Sequence, residues 1–133
     1  ARSARLRAAV AESAARYRQS GVQFTIHASG PLPTLPAAVE VAAYRIAQEA
    51  MTNVVRHAGA AACQVTLALE PGALCLTVAD DGCGLPADIQ PGIGLRSMQE
   101  RVAELDGRFA IESHSGSGTK IKAALPLSVI RNR

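Results

Sequence analysis

The 133-residue chain has no tryptophan and only two phenylalanines and two tyrosines, an aromatic share of 3%. So few flat side chains leave little on which exposed bases could stack, and nucleic acid is not an expected partner. No apolar run approaches the roughly 20 residues of a membrane span. The Arg-rich start lacks the apolar stretch of a secretory signal. The cysteines, Cys63, Cys75 and Cys83, are odd in number and sit at no zinc-chelating spacing. Free thiols in a reducing, cytoplasmic setting are the expectation. The formal charge of +3 is a terminal excess. Residues 1–20 carry five arginines against Glu12, and Arg131 and Arg133 close the chain. Residues 21–130 hold 7 basic and 10 acidic groups, which is not the basic surface that a nucleic-acid backbone requires.

What the chain does have is a 48% hydrophobic share punctuated by 11 glycines and 7 prolines. That length and composition suit one compact domain with a real core. Residues 2–19 read as a basic amphipathic helix on Leu6, Val10 and Tyr17, and residues 128–133 as a tail. Val22, Phe24 and Ile26 alternate with polar neighbours, as in a half-buried strand. Pro36 opens the longest helix, about 36–58, with Ala43, Ala47, Ala50, Val54 and Ala58 in one stripe. Cys63, Val65, Leu67 and Leu69 alternate, Pro71-Gly72 turns, and Leu74, Leu76 and Val78 return, giving a hairpin. Residues 81–94 form a Gly- and Pro-rich loop. Leu95, Met98, Val102 and Leu105 define a helix ending near Gly107. Strands at Phe109–Ile111 and Ile121–Leu125 flank a turn at Gly116-Ser117-Gly118. The order predicts an α/β two-layer sandwich, a mixed and mostly antiparallel sheet covered on one face by helices.

Strand parity locates chemistry. Asp80 is in phase with Leu74, Leu76 and Val78, so its carboxylate faces the interior, where charge is costly without a partner. Gly82 and Gly84 follow and let another molecule approach the backbone. A purine offering an exocyclic amine would meet that carboxylate. Thr119 is in phase with Ile121 and Leu125 and faces the same interior, within reach of Asp80 or a ligand. On the long helix Glu49 and Asn53 lie four residues apart, with Arg45, Thr52, Arg56 and His57 on the same side. Glu49 and Asn53 so placed suit Mg²⁺, a hard cation that takes oxygen ligands directly or through the several waters it keeps. Glu49 is also placed to orient or deprotonate an attacking group. Gly92-Ile93-Gly94-Leu95 opens a helix and offers backbone N–H groups to a phosphate.

Taken singly, each of these has a structural explanation; together they are specific. Gln48 to Ala58 resembles the N box of histidine kinases, and Asp80-Asp81-Gly82-Cys83-Gly84 their first glycine box. Gly92-Ile93-Gly94-Leu95 matches the second and Gly116-Ser117-Gly118-Thr119 the third. The phrases YRIAQEAMTNVVRHA and GIGLRSMQERVAELDGRFAIES resemble the nitrate-sensor subfamily. The resemblance covers residues 20–127 and implies the Bergerat fold, with ATP between helices and sheet. It implies that Asp80 binds the adenine amine beside Thr119, and that Asn53 coordinates Mg²⁺ and phosphates. Glu49 would activate the reaction with Arg56 and His57 nearby, while Gly82, Gly84, Gly92, Gly94 and Leu95 shape pocket and lid.

Family members of this type carry the phosphoacceptor histidine in a separate dimerisation domain. His27, His57 and His114 occupy no such helix. The resemblance therefore implies a monomeric catalytic domain that does not phosphorylate itself. It would pass the γ-phosphoryl of ATP to a histidine of the same parent, cytoplasmic or membrane-anchored, for relay to a response regulator. The alternatives are a serine kinase of the anti-sigma-factor type, which shares the fold and similar boxes, and a nucleotide-sensing interaction module that transfers nothing, against which the intact Glu49 and Asn53 argue.

Overall fold

The structure is a computed structural model that describes residues 4–30, 32–82, 93–114 and 118–127. Strand β1 (Gln23–Ala28) leads through helix α2 (Ala37–Asn53) to β2 (Ala62–Glu70) and β3 (Ala73–Asp80). Helix α3 (Ile93–Glu104) then precedes β4 (Arg108–His114) and β5 (Gly118–Pro126), and α1 (Ala4–Ala15) stands first. The five strands lie in the order β1-β2-β3-β5-β4. β1 pairs parallel to β2, and every other pairing is antiparallel. The parallel pair follows from chain economy, since α2 spans the crossover that parallel neighbours require.

One face of the sheet is dry. Cys63, Val65 and Leu67 of β2, Leu74, Leu76 and Val78 of β3, and Ile121, Ala123 and Leu125 of β5 are buried. Against them α2 presents Val39, Ala42, Ala43, Ile46, Ala47, Ala50 and Met51, a stripe three to four residues apart. The four alanines let this helix sit close to the strands, and Val39, Ile46 and Met51 fill what remains. Met98 and Val102 of α3 and Leu6 and Val10 of α1 complete the core. Truncating any of the fully buried leucines to alanine would cost about 2–5 kcal/mol. The opposite face carries Gln64, Lys120, Lys122 and Glu112 in water.

Several boundaries differ from those the periodicity predicts, each for a local reason. The first helix ends at Ala15 rather than 19, because i→i+3 bonds (Arg16 N to Ser13 O, Tyr17 N to Ala14 O) tighten the chain into the 3₁₀ turn Arg18–Ser20. The long helix stops being α-helical at Asn53, and Val54–Ala58 form a wider π turn. Leu69, an expected interior position, is 41% exposed because β2 outruns its edge neighbour β1, whose last residue, Ala28, pairs with Leu67. The third helix starts at Ile93, two residues early. At its end Gly107 N donates to Val102 O and Asp106 N to Ala103 O, a Schellman arrangement. The residue with positive φ there is Asp106, at 58°. Gly107 is needed for another reason: a Cβ at that position would strike the Ala124 carbonyl of β5.

Candidate functional site

The candidate site begins where β3 ends. The register pairs Cys63 with Asp80 and Ser113 with Thr119, and Ala79 with Lys120, which puts Asp80 next to Thr119. Directly opposed residues of antiparallel strands share a face. Cys63, Asp80, Thr119 and Ser113 thus form one row across four strands, on the side covered by helices. Asp80 is half-buried, as its parity predicts. Its Oδ1 accepts from Gly82 N at 2.8 Å, while Oδ2 has no hydrogen-bond partner among the described residues. A half-buried carboxylate oxygen that keeps its acceptor capacity is what a donor on a ligand requires.

Thr119 departs from expectation in one respect. Its hydroxyl lies 3.1 Å from Ser113 Oγ and makes no bond to Asp80. Parity gives its face correctly, but the neighbouring strand supplies the partner. What joins the start of β5 to Asp80 is backbone: a Cβ on Gly118 would overlap the Asp80 carbonyl oxygen, and Gly118 has φ of 93°.

The row includes two residues that motif reasoning passes over. Ser113 continues the inward phase of Phe109 and Ile111, and Cys63 that of Val65 and Leu67, so parity alone could have found both. Burial first, and the nearby Asp80 and Asp81 carboxylates second, push the Cys63 thiol up to about 12. It stays protonated at neutral pH and is a wall, not a nucleophile.

Asp81 has a separate task. Its Oδ1 accepts from the backbone N–H groups of Ala61 at 2.9 Å and Ala62 at 3.0 Å. Asp81 N returns a bond to Ala62 O at 3.2 Å. This clamp fastens the chain leaving α2 to the end of β3, so it brings the segment after Asn53 beside Asp80. Those backbone bonds, Ala62 first and Ala61 second, hold the Asp81 carboxyl below its ordinary value of 3.8. The depressed pKa means a stability contribution fully present above the unfolded value and lost as pH falls through the folded one. The stability gap between wild type and Asp81→Asn should therefore be constant near neutrality and shrink in acid, below about pH 4. Urea unfolding at stepped pH measures it, and a gap that widens in acid would contradict the clamp.

Glu49 and Asn53 are half-buried on α2, one turn apart. Thr52 is drawn aside, its hydroxyl 2.6 Å from Tyr17 Oη of the α1 segment. Arg56 is exposed in the π turn, and Leu95 is partly buried against the core. Gly82 is buried and Gly94 lies in the first turn of α3. Gly84, Gly92 and the His57 side chain lie outside the described residues, as do residues 115–117. Among the described residues no three His, Cys, Asp or Glu side chains cluster as metal ligands. None of the described helices is long and apolar enough to cross a membrane.

Helices over one face of a mixed five-stranded sheet make an α/β sandwich, and a half-buried acceptor at the sheet end, with Glu49 and Asn53 on α2, is its candidate ligand site. The chain belongs to the family of histidine kinase-, DNA gyrase B- and HSP90-like ATPases, whose family model matches residues 38–129. It is 42% identical over 118 residues to the sensor histidine kinase MctS of Rhizobium johnstonii, covering 85% of this chain and 25% of that protein. To the sensor histidine kinase LnrJ of Bacillus subtilis it is 35% identical over 111 residues, 84% of this chain and 28% of that one. The chain thus spans about a quarter of the length of the curated relatives it matches. Among solved structures, the Erythrobacter litoralis blue-light activated histidine kinase EL346 superimposes with a TM-score of 0.80 at 23% identity, covering 92% of this chain and 42% of that one. The catalytic domain of the histidine kinase ThkA gives 0.74 at 13% identity, covering 93% and 90%. At such identities these two likenesses establish the fold, an α/β sandwich.

Proposed function

We propose that this domain binds Mg-ATP and donates its γ-phosphoryl group to a histidine on a separate dimerisation domain of the parent protein, for relay to a response regulator. The observation that carries this reading is Asp80, a half-buried carboxylate with one oxygen tied to Gly82 and the other unpartnered among the described residues. An adenine amine fits that acceptor, with the Thr119–Ser113 hydroxyl pair beside it and the neutral Cys63 thiol as an apolar wall. Asn53 and Glu49 offer two oxygen ligands one turn apart. A hard cation such as Mg²⁺ takes few protein ligands and completes its shell with phosphates and water, so these residues fit it. Bound there, Mg²⁺ would neutralise charge on the phosphate chain. Glu49 accepts a proton, directly or through water, from the attacking imidazole. Arg56 and His57 meet phosphate charge, and the backbone around Gly82, Gly84, Gly92, Gly94 and Leu95 frames the pocket. The subfamily proposed is nitrate-sensor-like, on the phrases around Asn53 and Arg96.

The test is transfer in trans. The domain is incubated with radiolabelled Mg-ATP and the histidine-containing helices of the parent protein. Acid-labile, base-stable phosphate should appear on those helices, and the chain alone should stay unlabelled. Glu49→Gln should retain nucleotide binding while losing transfer by about 100-fold. Acid-stable phosphate on a protein substrate would instead point to a serine kinase. Intact binding without any transfer would leave a nucleotide-sensing module.

A further inference from the structure

Helix α1 lies parallel to α2, bonded to it near both ends by pairs with the same sequence separation of 35 residues. Near its start, Arg5 Nη2 lies 3.0 Å from Glu40 Oε1 in the first turn of α2. The arginine side chain there is 80% exposed, so this pair adds little. Just beyond its other end, Tyr17 Oη and Thr52 Oγ1 share a half-buried hydrogen bond of 2.6 Å. The tyrosine ring is itself held, with its centroid 6.0 Å from that of Phe24 on β1. Thr52 immediately precedes Asn53, the last α-helical residue before the π turn Val54–Ala58. At that junction the N–H of Val54 is shared between Ala50 O and Met51 O. An N–H shared between two carbonyls, with the wider π turn beyond it, holds a helix end less firmly than regular i→i−4 bonds, so a lateral tether counts for more there.

We propose that Tyr17 is a positioning residue for the phosphate end of the nucleotide. Its hydroxyl holds Thr52, and through Thr52 the backbone that carries Asn53. The purine end is set independently, by the β3–β5 register and the Gly82 bond to Asp80. Loss of the Tyr17 hydroxyl therefore weakens contacts to phosphates and leaves adenine recognition intact. Movement of α1 would reach the same end of the site. The inference rests on the ATP reading above.

Four proteins are titrated with Mg-ADP by calorimetry and with adenosine by NMR: wild type, Tyr17→Phe, Thr52→Val and Thr52→Ser. Tyr17→Phe and Thr52→Val should each raise the Kd for Mg-ADP about five- to tenfold, the loss of one hydrogen bond's worth of positioning. Adenosine should bind all four equally, and Thr52→Ser, which keeps the hydroxyl, should match wild type. Thermal melts establish that each variant is folded at the assay temperature. Unchanged Mg-ADP affinity in both Tyr17→Phe and Thr52→Val would overturn the proposal. So would equal losses for Mg-ADP and adenosine, which mark general loosening. A folded wild type that binds neither would instead sink the ATP reading, and this inference with it.

Discussion

Asp80→Asn should raise the Kd for Mg-ATP about 100-fold or more without unfolding the domain. The substitution is nearly isosteric, and the asparagine oxygen can still accept from Gly82 N, so the end of β3 keeps its shape. What changes is the second position of the side chain, where an acceptor becomes an NH₂ donor. The adenine amine, also a donor, then meets a donor. A hydrogen bond to a charged group is lost, about 1.5–3 kcal/mol, and the donors oppose each other in a half-buried site. At 1.4 kcal/mol per tenfold, these losses reach two orders of magnitude. Guanine places a carbonyl oxygen where adenine has its amine, so Mg-GTP should not suffer the same loss. Calorimetry with both nucleotides is the measurement. Equal weakening of the two would mean that Asp80 supports the pocket without reading the base. A second readout is internal, since the Asp80 charge helps raise the Cys63 thiol. That pKa should fall in the variant yet stay above the ordinary 9.0, because burial is the larger cause.

Gly118→Ala should be more damaging to the fold. Gly118 has φ of 93°, and its missing Cβ faces the carbonyl of Asp80 with the Asp81 Cα 3.2 Å away. An alanine there carries the left-handed strain of about 1–3 kcal/mol and collides with backbone, which cannot rotate away as a side chain could. The total should be about 3 kcal/mol or more, read as a lowered urea midpoint. Relief requires β5 to move from β3, which displaces Asp80, so Mg-ATP affinity should fall as well. Gly72 supplies the control: its φ is 77°, but no atom lies within 4 Å of the position its Cβ would take. Gly72→Ala should show the conformational cost alone, about 1 kcal/mol, and bind nucleotide normally. Similar losses at both positions would show that φ alone, and not the close approach to Asp80, makes Gly118 necessary.

The hairpin β2–β3 and the inward turn of Asp80 are legible in the chain. Alternation across Cys63–Leu67 and Leu74–Val78 has a period of two that fixes which way every second side chain points, and Pro71-Gly72 marks the reversal. Glu49 and Asn53 are legible for the same kind of reason, since helical spacing puts them one turn apart whatever surrounds them. The family boxes follow these periodicities, so the order of elements and the residues nearest the proposed nucleotide can be named from sequence.

Other features have no local signature. The partners of Asp81 are backbone amides 19 and 20 residues away, and any residue at those positions presents the same N–H. Thr119 shows its face by parity, but its bond to Ser113 depends on β4 lying beside β5. Tyr17 reads as one more apolar position of an amphipathic helix until a parallel α2 brings Thr52 to its hydroxyl. The switch from α to π geometry after Asn53 is equally silent in the periodicity of Ala50, Val54 and Ala58.

By itself, then, the sequence determined the alternating and helical faces, the placement of Asp80, Glu49 and Asn53 upon them, and the boxes that mark the family. The tertiary structure decided which strand lies between which, who bonds to Asp81, Thr119 and Tyr17, and why Gly118 must lack a side chain. The division has one physical cause. Periodicity is a property of the backbone and repeats within a few residues, whereas a clamp, a tether or a close approach exists only when distant segments share the same few ångströms.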